Sequence, residues 1–372
     1  MPHARAGGPL RMNFSMLPRP QSSPPTRLQS ITTRLISIAG RAVHAFQIWS
    51  DGPGARAVRS FLPPVLRSFL NRRKHQLSLI PVRLLFPEAS ASEAAVRVVI
   101  YGTFADNWLP RLGDVATWKG IPAVAEVLLV SDDPRTQIPG PFYAGSRTVI
   151  VPLSENNINN CPRNYPALIP DRHAVDTLGN KAAFAAYVDE HGLSDLCPTT
   201  YKTKEQAEFP CILKRVNAAY GLGSMILRSK QELEELLRNE ALSQEEFILQ
   251  SLVAGTTEYS THCVCKDGRI LWSCSFVFEM DGPEEIRRGM DCKEMRAIKS
   301  SDDTLSTIER VLAPLGYSGP CNIDYKRSEA GAITIFEVNP RFGGSLMLTE
   351  NIGYLREALS CIIGNADGGT TG

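Results

Sequence analysis

The segment 321–345, CNIDYKRSEAGAITIFEVNPRFGGS, constrains this chain more than any other. Two apolar, strand-forming runs, 321–326 and 332–338, flank a Ser-Glu-Ala-Gly turn, which predicts an antiparallel hairpin. Side chains alternate every two residues along a strand, so Glu337 and Asn339 share a face. If the strands are neighbours, Asp324 reaches the same spot. Three oxygen donors, two of them anionic, make a hard site suited to Mg²⁺, with positions left open for phosphate oxygens. Arg341 follows two residues on and sets a planar cation where a transferring phosphate would lie.

Upstream, 96–102 (VRVVIYG) is a β-branched run ending in Gly, as in a buried parallel strand that opens an α/β unit. Residues 125–131 and 148–152 predict the next strands, with a helical stretch between the first two. No Gly-x-Gly-x-x-Gly follows the first strand, which argues against a dinucleotide site. Residues 181–192 carry helical periodicity and stop at Gly192, and 229–238 predict an amphipathic helix capped by Ser229. Strands are expected at 210–215 and 246–250. A Lys-Asp-Gly turn joins strands at 258–265 and 269–278. Helices over 302–315 and 348–363 complete the order, which is an α/β lobe, a small α+β lobe and a larger antiparallel lobe.

Charge divides the chain in two. Residues 1–87 carry a net +12, with Asp51 their one acid, whereas 88–372 carry −11. An acidic folded part argues against a nucleic-acid partner. The Arg-, Ser- and Pro-rich leader over 1–90 fits a mitochondrial or plastid transit peptide, and equally a disordered basic tail on a cytoplasmic protein or a stretch absent from the mature protein. The nine Cys include no Cys-x-x-Cys pair, which points to a reducing compartment; Cys263 and Cys265 read as core packing on one strand face. No run approaches 18 apolar residues, so no membrane span is expected.

Two further segments carry chemistry. In 213–224 (LKRVNAAYGLGS), Lys214 ends a strand, and Gly221, Gly223 and Ser224 form a short loop able to close over phosphates. Taken alone this is equally an ordinary turn, and it is no Walker A sequence. In 247–259 (FILQSLVAGTTEY), an apolar strand and bend offer an adenine slot, and Glu258 offers a carboxylate for ribose hydroxyls. That too is bland in isolation.

Together the three clusters resemble the ATP-grasp superfamily of carboxylate–amine and carboxylate–thiol ligases, over roughly residues 95–364. The resemblance is most specific in Glu337-Val338-Asn339-Pro340-Arg341, with Leu213-Lys214, 250–253, Gly255, Glu258-Tyr259 and Asn180-Lys181 in support. It implies an ATP-grasp fold of class α/β with α+β lobes. Its parts would be a pre-ATP-grasp lobe over 95–180, a lid over 181–250, a carboxyl-terminal lobe over 251–364 and a tail over 365–372. It also implies site roles. Lys181 and Lys214 would hold the α- and β-phosphates with Gly221, Gly223 and Ser224, and Gln250, Ser251, Leu252 and Val253 would form the adenine hinge. Glu258 would accept the ribose, Asp324, Glu337 and Asn339 would ligate Mg²⁺ or Mn²⁺, and Arg341 would stabilise the acyl-phosphate transition state. Arg288, with Arg287 beside it, is a candidate for holding a carboxylate or γ-phosphate. The sequence departs from the family pattern at Asn180, where Asp is usual, at Gln250-Ser251 in place of acids, and in one extra residue between Gly255 and Glu258.

The expected activity is ATP-dependent activation of a small carboxylate for attack by an amine or thiol, releasing ADP and phosphate, with a homodimer as a candidate assembly. Two alternatives stay open. One is a bicarbonate-using carboxylase or carbamoyl-phosphate-type subunit, which would need a partner subunit. The other is a regulatory module that binds ATP without turnover.

Overall fold

The computed structural model describes residues 81–90, 94–102, 108–216, 223–240, 246–284 and 286–366. The leader before residue 81, Gly221 and the tail after 366 lie outside the described residues, so their readings rest on sequence alone.

Strands β1 (Val82–Leu85), β2 (Val96–Tyr101), β3 (Val124–Val130) and β4 (Arg147–Pro152) form the first sheet, in the order β1-β3-β2-β4. β2 runs parallel to β3 and β4, while β1 pairs antiparallel with β3. The leader assigned to 1–90 therefore ends too late. Val82 and Leu84 are buried against β3, and the Arg- and Pro-rich residues around them hide a four-residue strand from any window average. Every residue of β3 is buried, Glu126 included. That carboxylate takes Arg97 Nε at 3.4 Å, Arg83 Nε at 3.2 Å and the Phe142 amide at 2.7 Å, fastening three strands and a loop to one point.

The second sheet is small and antiparallel: β5 (Thr200–Tyr201), β6 (Cys211–Arg215), β7 (Ser224–Leu227) and β8 (Phe247–Ser251), ordered β5-β8-β6-β7. The helix Lys230–Glu240 covers it through Leu233, which joins Leu213, Leu227, Phe247 and Leu249 in a separate core. Ser229 Oγ accepts the Glu232 amide at 3.2 Å, the cap expected from sequence.

The third sheet holds β9 (Thr257–Lys266), β10 (Arg269–Glu279), β11 (Glu294–Ile298), β12 (Gly319–Arg327) and β13 (Ile333–Asn339), ordered β11-β10-β9-β12-β13 and antiparallel throughout. The β9–β10 turn needs left-handed backbone at Asp267 (φ 50°) and Gly268 (φ 78°). A Cβ on Gly268 would stand 2.6 Å from Ala313 Cα, so glycine is required twice over. Helices Lys181–Glu190 and Asp302–Leu312 cover one face, where Phe184, Tyr187 and Ile308 pack on Cys263, Cys265 and Cys321. Tyr187 Oη donates to Val311 O at 2.6 Å. The Lys181–Glu190 helix, assigned to the lid over 181–250, thus belongs to the core of the large sheet, and the small sheet proper begins at Thr200. The opposite face takes the helix Ile352–Asn365, whose Leu355, Leu359 and Ile362 fuse this core with that of the first sheet. Among the described residues no helix is long and apolar enough to cross a membrane.

Removing Glu126 leaves Arg97, 1% exposed, without its carboxylate. Breaking a buried pair by deleting one partner costs about 3–5 kcal/mol. Glu126→Ala is expected to lose stability on that scale in urea denaturation, whereas Arg135→Ala, which breaks a surface pair with Asp133, should leave the midpoint essentially where it is.

Candidate active site

A cleft of about 310 Å³ opens between the small sheet and the third sheet, with Trp108 of the first lobe on its wall. Its floor is the β12–β13 ladder. Asn322 stands opposite Asn339 and Asp324 opposite Glu337, so alternation presents four oxygen-bearing side chains on one face. The register slips between Asp324 and Tyr325, and β13 stops at Asn339 because Pro340 has no N–H to continue the ladder. Arg341 N then bonds back to Asn339 O at 2.7 Å, turning the chain into Phe342-Gly343-Gly344.

Burial pushes the Asp324 carboxyl above the usual range. Arg287 opposes that shift, Glu337 adds to it, and hydrogen bonds from Ser260 Oγ (2.6 Å) and Asn322 Nδ2 (3.3 Å) oppose it further. Two carboxylates facing one another across the ladder, with an amide oxygen beside them, form a donor set that fits a divalent cation. Among the described residues no three His, Cys, Asp or Glu side chains gather to hold a metal.

Two lysines face this floor. Lys181 opens its helix, and its Nζ lies 3.4 Å from Glu337 Oε1. The helix is capped by Asn180, whose Oδ1 accepts the amides of Ala182 and Ala183 at 3.0 Å each. Asn and Asp cap equally well, which accounts for the departure at 180. Lys214 is buried near the end of β6. Its Nζ donates to Phe336 O at 3.2 Å and sits 5.3 Å from the Phe336 ring centroid. Burial lowers its pKa to about 8, against the pull of Glu337.

The glycine-loop residues are placed differently from expectation. Ser224 lines the cleft, but as the first residue of β7 paired with Lys214 rather than as part of a loop. Gly223 (φ 74°) packs on the Arg215 side chain and is not on the cleft wall. In the expected hinge, Ser251, Leu252 and Val253 line the cleft while Gln250 does not. β8 continues through Ser251, so neighbouring side chains point to opposite faces. Gln250 turns instead into a smaller cavity beside Lys181 and Glu337, its Nε2 donating to Thr200 Oγ1 at 2.9 Å and its Oε1 buried without a partner.

Glu258, at the start of β9, is buried in the cleft and bonded by Arg287 Nε. Burial pushes its carboxyl up while Arg287 draws it down, with a net rise. Arg287 also donates to Asp324 Oδ1 at 3.2 Å and to Gly289 O at 2.7 Å, and it stacks 4.2 Å from the Phe278 ring centroid. Arg288 is not on the cleft wall. Of the Arg-Arg pair, the first residue faces the carboxylates. Arg341 lines the cleft, yet its guanidinium is committed: Nε lies 2.9 Å from Glu155 Oε1, and the terminal nitrogens donate to Phe342 O (2.9 Å) and Asn339 Oδ1 (3.3 Å). Glu155 opens the helix Glu155–Asn160 after β4, so Arg341 ties the first lobe to the ladder's end.

Sequence reading passed over Asn322, Ser260, Lys326, His262 and Ser345. Asn322 was within reach, since it lies two residues before Asp324 in the same alternation. The His262–Ser345 pair spans 83 residues and has no local signal. His262 is fully buried, with Nε2 2.8 Å from Ser345 Oγ and Nδ1 accepting the Gly343 amide at 3.4 Å. Nδ1 therefore carries the lone pair and Nε2 the proton. A Cβ on Gly343 would meet His262 Cε1 at 2.7 Å and Asn322 Oδ1 at 2.9 Å, so glycine lets this turn settle on the sheet.

The family model described as an ATP-grasp domain matches residues 178–345, which span this cleft from the Lys181 helix to Ser345. The chain contains an ATP-grasp domain. Solved structures of the same fold include VanG D-Ala:D-Ser ligase from Enterococcus faecalis (14% identity, 74% of this chain and 100% of that one, TM-score 0.52). D-alanine–D-alanine ligase from Bacillus anthracis, complexed with ATP, is 13% identical over 74% and 97% of the two chains, TM-score 0.51. The ADP complex of N5-carboxyaminoimidazole ribonucleotide synthetase is 17% identical over 72% and 78%, TM-score 0.50. At these identities the likeness is one of fold. No curated protein matches the sequence.

His262 has its pKa lowered from 6.5 to about 3, chiefly by burial. Its unfolded form takes up a proton below about pH 6.5 that the native form refuses, so stability is lost as pH falls from about 6.5 towards 3, by up to about 1.4 kcal/mol per unit. His262→Asn is expected to flatten the fall in unfolding free energy between pH 6.5 and 4.5, measured by urea titration beside the parent.

Proposed function

We propose that this chain is an ATP-dependent ligase that activates a small carboxylate for attack by an amine or thiol. The observation that carries the reading is the pairing of Asp324 with Glu337 across one ladder, with Lys181 and Lys214 facing them in a single cleft. The Ser251–Val253 edge and Phe336 would take an adenine, and Glu258 the ribose hydroxyls. Lys181 and Lys214 would hold the inner phosphates, Lys214 as a charge fixed by its bond to Phe336 O. Asp324, Glu337 and Asn339 would hold Mg²⁺ or Mn²⁺, which when bound neutralises charge on the phosphoryl oxygens.

The reaction balances without an enzyme nucleophile. A substrate carboxylate oxygen attacks the γ-phosphorus and the bond to the ADP oxygen breaks. An amine or thiol then attacks the acyl carbon, phosphate leaves, and the attacking group's proton passes to solvent. The residues orient and neutralise rather than react. Arg341, held on Glu155, serves this scheme by fixing the end of β13 to the first lobe, so that Asn339 stays on the cleft face. Closure of the small sheet over the nucleotide would keep water from the acyl phosphate.

Phosphate release from Mg-ATP by the full chain, with and without an equimolar pool of the twenty amino acids, tests the reading. Stimulation by the pool supports it; stimulation by bicarbonate alone favours the carboxylase-type alternative, and ATP binding with no turnover on either a regulatory module. Glu337→Gln should cut release by at least about 100-fold with an unchanged unfolding midpoint, and activity that survives it would remove the metal assignment. Lys214 must be charged to hold phosphate. Affinity for Mg-ADP is therefore expected to be flat at lower pH and to fall as pH rises through about 8.

A further inference from the structure

Arg287 makes more committed contacts inside the cleft than its place in the chain suggests. It comes from the stretch between β10 and β11, outside any helix or strand, yet it is the residue that touches both carboxylates needed at the two ends of a nucleotide. Its Nε serves Glu258, and its terminal nitrogen lies 3.2 Å from Asp324 Oδ1. The other cations around the floor are engaged elsewhere: Lys181 on Glu337, Lys214 on Phe336 O, Lys326 on Gly255 O and Arg341 on Glu155.

We propose that Arg287 is a tail-reading residue, which gives up Glu258 and Asp324 when a nucleotide and its cation arrive and passes to the terminal phosphate. The inference rests on the nucleotide reading above and deepens it. The reasoning is one of charge balance. A ribose that bonds Glu258 and a divalent cation that bonds Asp324 each compete with the same guanidinium. That side chain is 14% exposed and packed on Phe278. A mostly buried guanidinium that loses both carboxylates must find another anion, because leaving it unpaired costs several kcal/mol. Within reach are Gly289 O, which it already bonds, and Glu337, which Lys181 shares. The proposed reaction brings two anions, a small carboxylate and the nucleotide's end, and on the nucleotide reading the second is the one that lies beside Asp324 and Glu337. A triphosphate offers its γ-phosphoryl oxygens there, in the planar two-point geometry that guanidinium prefers, and a diphosphate does not. Arg287 would thus couple three events, ribose binding, cation binding and recognition of the third phosphate, and would favour ATP over ADP in the cleft.

Calorimetric titration of the full chain with Mg-ADP and with Mg-AMP-PNP, a triphosphate analogue that resists hydrolysis, tests this without knowing the acceptor substrates. The parent protein is expected to bind both, the analogue more tightly. Arg287→Met should weaken the analogue at least about tenfold, which is about 1.4 kcal/mol, while Mg-ADP stays within about threefold. Arg287→Lys, which keeps a point charge, should restore most of the preference. Should the Met variant fail to fold, Arg287→Gln, which keeps a polar end for Glu258, is held to the same ratio. Equal weakening of the two nucleotides would make Arg287 a structural counter-charge, and equal tightening a mere competitor; either result overturns the proposal. A parent protein that binds neither nucleotide would instead overturn the nucleotide reading itself.

Discussion

The carboxylate pair on the β12–β13 ladder, one member of it buried, is the constraint to which the rest of the site answers. Asp324 and Glu337 stand directly opposite one another, and the interior raises the proton affinity of Asp324. Like charges held this close persist only where cations and hydrogen bonds surround them. Ser260, Asn322 and Arg287 surround the first, and Lys181 the second. Each comes from a different element: β9, β12, the stretch after β10, and the helix before the small sheet. The carboxylate pair thus explains why these elements converge.

Holding the ladder in place is the task of the two lobe junctions. The Ile352–Asn365 helix inserts its apolar side between the first and third sheets and gives them a common core. At the cleft's rim Arg341 reaches Glu155. A bidentate-capable Arg on a carboxylate has geometric specificity that a Lys would lack, which suits a residue whose neighbour Asn339 must keep its orientation. The small sheet, by contrast, has a core of its own, and Lys214 joins it to the ladder through its bond to Phe336 O.

Where local sequence and global fold agree, the reading from residues alone was close. The Asp-Gly hairpin, the paired runs ending at Glu337 and Asn339, and the cap at Ser229 all depend on neighbours within a few residues. It faltered where a strand was too short to show a period, as at β1, and where strand phase decides the face, as at Gln250 and Ser251. One residue of phase turns a hinge contact into a cavity wall behind it. The Arg287–Arg288 pair is the same problem in a loop, where no periodicity exists to rank the two. The His262–Ser345 and Arg341–Glu155 contacts join residues too far apart in the chain for any spacing rule.

The sequence by itself determined the ladder, its oxygen donors and the presence of two lysines near strand or helix ends, because these follow from alternation, capping and turn chemistry acting over a few residues. The tertiary structure decided which arginine faces the carboxylates, that Arg341 is spent on an inter-lobe tie, and that the Lys181 helix belongs to the large sheet. Those outcomes depend on which apolar faces share a core and on how buried charges find partners, and both are settled by long-range packing, which leaves no periodic trace in the chain.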